Sequence, residues 1–253
     1  MASAGKKPYL VNARPPGKRV IIIGATSGIG RELALTYLRQ GCVVGVTGRR
    51  TERLKEIQEI FPDHCHWREM DVQSKDAVAV FEDLVREMGG LELMIYCAGV
   101  GTQNPGLDLE LELNTVDTNA DGYVRMATRA YNFFKQQNHG HIAVIASLAG
   151  IRPLRQSPAY SATKRFQIHY TSCLAQKANQ ECVPTVFTTI VPGFIKTDML
   201  KFTYPFAISL EKGARLIYNK IEKRRRFSTV PGRWRWIEPL WRLIPNFLWE
   251  KIW

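Results

Sequence analysis

The sequence Val20-Ile-Ile-Ile-Gly24-Ala-Thr-Ser-Gly28-Ile-Gly30 joins an apolar run to a turn that contains three glycines. The apolar run is typical of a buried strand, and a helical pattern follows the last glycine. Glycines let the backbone turn tightly and approach a pyrophosphate, whose charge is met by N–H groups at the start of a helix. The stretch therefore predicts a strand–turn–helix unit that binds a dinucleotide, with a ligand-free glycine turn as the alternative.

Short apolar runs and amphipathic segments alternate along most of the chain. Buried strands are predicted at 20–23, 43–46, 93–96, 142–145 and 186–191, and helices at 30–40, 52–60, 75–88, 119–137 and 158–179. Continuously apolar strands that alternate with helices are typical of a parallel sheet covered on both faces. We expect one α/β domain over residues 19–230, a Rossmann-type, doubly wound parallel sheet with helices on both faces. An N-terminal arm (1–18) and a C-terminal tail (231–253) flank it.

The positive charge of the chain lies at its ends. The 253 residues carry a net charge of +12. The first 19 residues contain five Lys or Arg and no acidic residue, and residues 222–253 contain eight Lys or Arg and three acidic residues. The body between them is nearly balanced. Because a protein that reads nucleic acid usually carries its basic stripe on the folded face, this distribution argues against a nucleic-acid partner.

The cysteine pattern favours a reducing compartment. Five cysteines are an odd number, and none of them shows a paired spacing such as CxxC. No apolar run follows the basic residues near the start, and no apolar stretch approaches the ~20 residues of a spanning helix. We expect a cytoplasmic protein, either soluble or peripherally attached to a membrane.

His64-Cys65-His66, on the third strand, lacks further ligands nearby, so we predict no metal site.

The end of the second predicted strand reads Val46-Thr-Gly48-Arg49-Arg50. A site that prefers NAD places an acidic residue here, where it accepts a hydrogen bond from the ribose 2′-hydroxyl. Two arginines instead suit a 2′-phosphate, and two solvated arginines at a helix start are the alternative. With the glycine turn upstream, the sequence predicts NADP(H). Asp71 and Val72, which follow the third strand, are placed beside the adenine.

Three residues further along predict a site for a carbonyl group. Tyr160 and Lys164 are four residues apart and share one face of a predicted helix. An ammonium group beside a phenol favours phenolate and so lowers the phenol pKa. Ser147 ends the strand at 142–146, which exposes its hydroxyl at the carboxyl edge of the sheet. Ser147 and Tyr160 can both donate to a substrate oxygen, and Tyr160 can supply the proton.

Together these motifs resemble the short-chain dehydrogenase/reductase family over residues 19–230. The resemblance implies that Tyr160 is the general acid and base, that Ser147 orients the carbonyl, and that Lys164 lowers the Tyr160 pKa and holds the nicotinamide ribose. It implies further that Asn119 positions a water in the proton relay. The implied cofactor-binding residues are Gly24, Thr26, Ser27, Gly28, Ile29, Gly30, Arg49, Arg50, Asp71, Val72, Ala98, Gly99, Tyr160, Lys164, Pro192, Gly193, Ile195 and Thr197.

Two positions depart from the family pattern. Ile23 stands where the family usually has Thr, and Tyr96-Cys97-Ala98-Gly99 stands where it usually has Asn-Asn-Ala-Gly. We interpret Cys97 as a small buried residue and not as a reactive thiol. Family members often pair the helices at 119–137 and 158–179 across a dimer, so a homodimer or homotetramer is expected.

The tail holds five of the six tryptophans of the chain, interspersed with basic and aliphatic residues. Three interpretations compete: an arm packed on its own or a partner subunit, an anchor at a membrane surface, and a nucleic-acid patch. A substrate lid is compatible with the first two.

The substrate pocket is expected between residues 147–157 and 194–209. Its second wall is apolar and consists of Phe194, Ile195, Met199, Leu200, Phe202, Tyr204, Phe206 and Ile208. We therefore expect an NADP(H)-dependent oxidoreductase that reduces an apolar carbonyl compound, for example a lipid-like 3-keto compound. The alternatives are a catalytically idle nucleotide-binding sensor or scaffold, and an adaptor at a membrane surface.

Overall fold

The protein folds around a parallel sheet of seven strands in the order β3-β2-β1-β4-β5-β6-β7. A computed structural model describes residues 17–197 and 206–252. The strands are β1 (Arg19–Ile23), β2 (Val43–Gly48), β3 (Cys65–Glu69), β4 (Leu93–Tyr96), β5 (Gly140–Ile145), β6 (Thr185–Pro192) and β7 (Phe227–Val230). The order reverses between β1 and β4, so the carboxyl ends of these two strands flank the crevice in which such sheets bind ligands.

Helices cover both faces of the sheet. They are α1 (Gly28–Arg39), α2 (Thr51–Ile60), α3 (Ala77–Glu87), α4 (Leu109–Val116), α5 (Gly122–Gln137), α6 (Pro158–Gln180), α7 (Leu210–Glu222), α8 (Trp234–Leu243) and α9 (Asn246–Ile252). One core layer packs α1, α2 and α7 on the sheet, and the other packs α3, α5 and α6 on its opposite face. The central strand β1 is fully buried from Val20 to Ile23 because both layers cover it.

The predicted doubly wound architecture is confirmed, and all five predicted strands and five predicted helices are present. The third strand, on which His64–His66 were placed, is β3, and the structure adds β7, α4, α7, α8 and α9. It also shows that the helix predicted to start at residue 119 begins earlier, since α4, a π-helical turn (Asp117–Asp121) and α5 form one continuous helical run. A π-helical turn carries one extra residue and is frequent at functional sites.

The segment after β7 turns back onto the body of the chain. α8 contacts β7, and its residue Trp234 lies against Gly193 at the end of β6, where a Cβ on that glycine would be 2.1 Å from the indole Nε1. The inner residues of α8 and α9 therefore belong to the folded body. This agrees with the interpretation of the tail as an arm packed on its own subunit.

Candidate active site

The glycine turn between β1 and α1 is held by close backbone contacts. Gly24 has a φ of +88°, and a Cβ there would lie 2.5 Å from the main-chain nitrogen of Ala98. A Cβ at Gly30 would lie 2.1 Å from the carbonyl oxygen of Gly24. Ser27, at the start of α1, makes no side-chain capping bond, and the first turn contains no acidic residue. The N-terminal N–H groups of α1 are thus available to an anion.

Two arginines stand beside this turn at the end of β2. Arg50 Nη2 donates to the hydroxyls of Thr26 and Ser27, both at 2.7 Å. The side chain of Arg49 is 60% exposed, and its Nη1 lies 3.9 Å from the carboxylate of Asp71. The guanidinium of Arg50 therefore packs along the turn, while that of Arg49 extends towards the residue that follows β3.

Ser147 and Tyr160 approach each other from two elements. Ser147 follows β5 and caps a short 3₁₀ turn (Leu148–Gly150), with its Oγ accepting from the N–H of Ala149 at 3.2 Å. Tyr160 lies in the first turn of α6. Burial raises the pKa of Tyr160 above its usual value, and the hydrogen bond with the Ser147 hydroxyl acts in the opposite direction. The predicted lowering of the Tyr160 pKa by Lys164 is therefore wrong for this structure, because burial is the largest cause of the shift and Ser147 is the group that lowers the pKa.

Lys164 lies one turn further along α6, and its Nζ is 5.7 Å from the centroid of the Tyr160 ring. Its ammonium donates to the carbonyl of Ile145 at 2.9 Å and to Oε1 of Gln167 at 3.0 Å. Burial lowers the pKa of Lys164 to about 8, with a smaller opposite effect from Cys97. Burial also raises the pKa of Cys97 to about 12, so this cysteine stays a thiol.

Asn119 lies in the π-helical turn and is completely buried. Its side-chain amide is paired with Val100: Oδ1 accepts from the N–H at 2.9 Å, and Nδ2 donates to the carbonyl at 2.8 Å. Nδ2 also lies 3.1 Å from Oγ1 of Thr163 on α6. The side chain thereby fixes the loop after β4 against α6, the helix that carries Tyr160 and Lys164.

A cavity of about 630 Å³ runs along the carboxyl edge of the sheet. It brings together almost all of the predicted site residues, and the exception is Asn119, which lies behind the wall. The predicted residues that line it are Gly24, Thr26, Ser27, Gly28, Ile29, Gly30, Arg49, Arg50, Asp71, Val72, Ala98, Gly99, Ser147, Tyr160, Lys164, Pro192, Gly193, Ile195 and Thr197.

Beyond Ser147 and Tyr160 the cavity wall is mainly apolar. This part of the wall is formed by Leu148, Leu154, Phe194, Trp241 and Trp249. Of the apolar wall predicted over 194–209, Phe194 and Ile195 line the cavity, whereas Phe206 is exposed and Ile208 is buried outside it. The remaining predicted wall residues, Met199, Leu200, Phe202 and Tyr204, lie outside the described residues.

The two tryptophans are held in the wall by Arg152, which is buried. Its guanidinium donates to the carbonyls of Trp241, at 2.8 Å, and Ile244, and to Oδ1 of Asn246 at 2.9 Å. It also stacks over the ring of Trp249 at 5.1 Å from the centroid. One cation thus ties the connection between α8 and α9 to the loop after β5, which carries Ser147.

Sequence reasoning did not assign Trp241, Trp249, Arg152 or Gln167 to the site. The tryptophans of the tail were noticed, but their spacing did not show that Trp241 and Trp249 face the cavity. Gln167 gave no signal, because a single glutamine on a long helix is most often solvated.

Among residues 17–197 and 206–252 no group of His, Cys, Asp and Glu could hold a metal ion. In the same part of the chain, no helix is both long and apolar enough to cross a bilayer.

Comparison with known proteins gives consistent matches. Residues 18–206 match the short chain dehydrogenase family. An uncharacterized oxidoreductase of Myxococcus xanthus is 28% identical over 92% of this chain and 95% of its own length. The NADP-dependent 3-hydroxy acid dehydrogenase YdfG of Escherichia coli is 30% identical over 70% of this chain and 72% of its own.

Solved structures show the same fold. The closed form of a serine dehydrogenase complexed with NADP⁺ superposes with a TM-score of 0.70 and 26% identity, covering 79% of this chain and 87% of its own. A variant of actinorhodin polyketide ketoreductase with NADPH superposes with a TM-score of 0.76 and 21% identity, covering 85% of this chain and 96% of its own.

Proposed function

The chain belongs to the short-chain dehydrogenase family, and we therefore propose that it is an NADP(H)-dependent oxidoreductase acting on a carbonyl or secondary alcohol. The observation that carries the proposal is that Ser147, Tyr160 and Lys164 line the same cavity as the glycine turn. Groups that can bind a carbonyl oxygen and move a proton thus face a site suited to a dinucleotide. Because cellular NADPH is generally kept reduced, we expect carbonyl reduction.

The residues present fit the pyrophosphate and the 2′-phosphate of NADP(H). Side chains at Gly24 or Gly30 would fill the turn, and the uncapped start of α1 is suited to a pyrophosphate. The exposed guanidinium of Arg49 and the neighbouring Arg50 supply charge for a 2′-phosphate. The names of the E. coli relative and of the serine dehydrogenase complex, which both include NADP, support the same preference.

The chemistry divides between the cofactor and three side chains. A nicotinamide cofactor supplies or accepts the hydride when it is bound. In the direction of reduction, Ser147 donates a hydrogen bond to the substrate oxygen, and Tyr160 gives it a proton. The raised pKa of Tyr160 keeps the phenol protonated for this step. Lys164 holds a positive charge near the phenol and so stabilises the phenolate that forms.

An apolar carbonyl compound is the substrate class that the cavity favours. The charged residues that line it in the described ranges are Arg49, Arg50 and Asp71 near the glycine turn, together with Lys164. At the end walled by Trp241 and Trp249, the cation beside these tryptophans is Arg152, which does not line the cavity and donates to two main-chain carbonyls. Turnover of small 3-hydroxy acids, with none of lipophilic alcohols or ketones, would contradict this assignment.

We expect the substitution Arg49→Asp to weaken NADPH binding and to leave NADH binding unchanged or tighter, because an acidic residue here can accept a hydrogen bond from the ribose 2′-hydroxyl. NADPH binding weakens because only NADPH carries the 2′-phosphate, and a charge-assisted bond of about 2 kcal/mol corresponds to roughly 30-fold in affinity. Titration of the purified protein with each nucleotide, followed by nicotinamide fluorescence, measures both dissociation constants. Arg39→Asp, at the far end of α1, makes the same change of charge away from the site.

Binding of neither nucleotide by the unmodified chain would overturn the proposal. Tight NADPH binding without turnover of any carbonyl compound would favour the alternative, an idle nucleotide-binding sensor or scaffold.

A reducing, cytoplasmic location is supported by the cysteines, since all five are free and both Cys173 and Cys182 are exposed.

We also propose two contacts outside the cavity, each on an exposed apolar stripe. On α4, Leu109, Leu113 and Val116 are exposed at positions i, i+4 and i+7, and α4 runs on into the helix at 119–137, which family members often pair across a dimer. On α8, exposed Trp236, Leu240 and Leu243 have the same spacing. The first stripe fits a second copy of the chain.

The second stripe fits a membrane surface. Its helix buries Trp234 on one side and presents the stripe on the other, with exposed Arg233 and Arg235 at its start. An apolar face bordered by cations is typical of helices that lie on anionic lipid. A substrate cavity directly behind this helix would receive apolar compounds from the bilayer.

One experiment tests both stripes. Replacing the three α8 residues by Gln is expected to lower binding to phosphatidylserine-containing vesicles by roughly 100-fold without changing the mass in solution. Replacing the three α4 residues by Gln is the matched control and is expected to convert a dimer into a monomer without affecting vesicle binding. Flotation and sedimentation measure the two properties. A change of mass in the α8 variant would instead assign its stripe to a second copy.

A further inference from the structure

Gln167 links two of the site residues. It lies on α6 one turn after Lys164 and is completely buried. Its Oε1 accepts from the Lys164 ammonium at 3.0 Å, and its Nε2 donates to the main-chain carbonyl of Asn119 at 2.8 Å. Both ends of the amide are therefore used, and the oxygen is fixed towards the ammonium because the nitrogen is held on the other side.

The partner carbonyl belongs to the π-helical turn. In this turn the N–H of Gly122 donates to the carbonyl of Asp117, five residues before it, and the carbonyl of Asn119 accepts from Gln167. The side chain of Asn119 is itself fixed by Val100 and by Thr163 on α6. The turn is thus a rigid point to which the Gln167 amide is attached.

The environment of Lys164 makes this attachment important. The second acceptor for its ammonium is the carbonyl of Ile145, so both acceptors are neutral oxygens. The ionisable side chains against it are Cys97 at the end of β4 and Tyr160 on its own helix, and burial holds the pKa of Lys164 at about 8. Each hydrogen bond that the ammonium donates therefore helps to keep Lys164 charged, because it raises the pKa that burial lowers.

We propose that Gln167 is a positioning residue, which fixes the Lys164 ammonium near Tyr160 by tying it to the carbonyl of Asn119 in the π-helical turn. The role rests on the proposed function, in which Lys164 supports the proton transfer from Tyr160. A carboxamide is neither an acid nor a base near neutral pH. Gln167 therefore orients the ammonium without taking a proton from it.

Two variants test the proposal through opposite effects on Lys164. Gln167→Met keeps the volume but removes the strong acceptor, so the pKa of Lys164 is expected to fall by about one pH unit, which corresponds to the loss of one bond to a charged group. Gln167→Glu adds a carboxylate, and the same pKa is expected to rise. The ¹³C shift of the lysine ε-carbon, assigned with Lys164→Met, follows the titration without any substrate.

Thr171→Val is the control, because Thr171 is buried on the same helix and its hydroxyl bonds to Tyr123 and to the main-chain carbonyl of Gln167, and not to Lys164 or to the Gln167 amide. It is expected to lower stability and to leave the titration in place. An unchanged Lys164 titration in both Gln167 variants would overturn the proposal, and the Glu variant alone decides if the Met variant does not fold. Since the readout needs no turnover, failure of the proposed enzymatic function would appear separately, in the nucleotide titrations.

Discussion

Replacing Tyr160 by Phe is expected to lower the turnover number by about 100- to 10,000-fold, the range that a general acid contributes. The phenyl ring fills the same space, but it has no proton to give to the alkoxide as the hydride arrives. NADPH affinity should change little, since the glycine turn and the arginines are untouched. The measurement is a single-turnover assay with the best carbonyl substrate found in a screen with NADPH, together with a fluorescence titration of the nucleotide.

Tyr170→Phe is the matched control for this result. Tyr170 lies on α6 as well, and its hydroxyl is 2.8 Å from Oγ1 of Thr128, outside the cavity. This variant should keep its turnover. Equal turnover in the Tyr160 variant and in the unmodified chain would show that the proton comes from another group, and Ser147 would then be the next candidate.

Gly30→Ala is expected to impair both stability and nucleotide binding, although alanine is the better helix former. In an exposed helix the change would stabilise the protein by up to about 1 kcal/mol. At Gly30 the new Cβ would lie 2.1 Å from the carbonyl oxygen of Gly24 and 3.2 Å from Cβ of Cys97. Either α1 or the turn must move, so we expect a loss of roughly 1–3 kcal/mol in the free energy of unfolding.

The same movement displaces the N–H groups that would hold the pyrophosphate. NADPH affinity should therefore fall at least about tenfold, or ~1.4 kcal/mol. Chemical denaturation and nicotinamide fluorescence measure the two effects. Gly106→Ala is the control, because a Cβ there meets no atom within 4 Å. A Gly30 variant that is more stable than the unmodified chain and binds NADPH normally would contradict the account of the turn.

The sheet was predictable because its central strands are continuously apolar, and residues of β1 such as Ile21 and Ile22 are fully buried. The edge strand β7 was missed because it is short, half polar, and preceded by the basic run at 223–226. The start of the long helical run was missed for another reason. Leu and Glu alternate from 109 to 113, which is the period of a strand, and the leucines stay exposed on α4.

The candidate site was predictable where the backbone imposes a residue type, as at Gly24 and Gly30. It was not predictable where a side chain acts through long-range packing. The link from Gln167 to Asn119 spans 48 residues, and the bond from Arg152 to the carbonyl of Trp241 spans 89. No local pattern encodes such pairs. The pKa of Tyr160 was misjudged because the pairing with Lys164 was visible in the sequence while the burial was not.

The tryptophan wall has a consequence for how the protein can change over generations. The groups proposed to carry the chemistry lie within residues 18–206, the part shared with the family, whereas Trp241 and Trp249 lie beyond it. Part of the apolar cavity wall is thus encoded separately from the residues proposed to carry the chemistry. Mutations in α8 and α9 can reshape the substrate end of the cavity while selection preserves the proton donor, provided that Arg152 keeps its carbonyl partners.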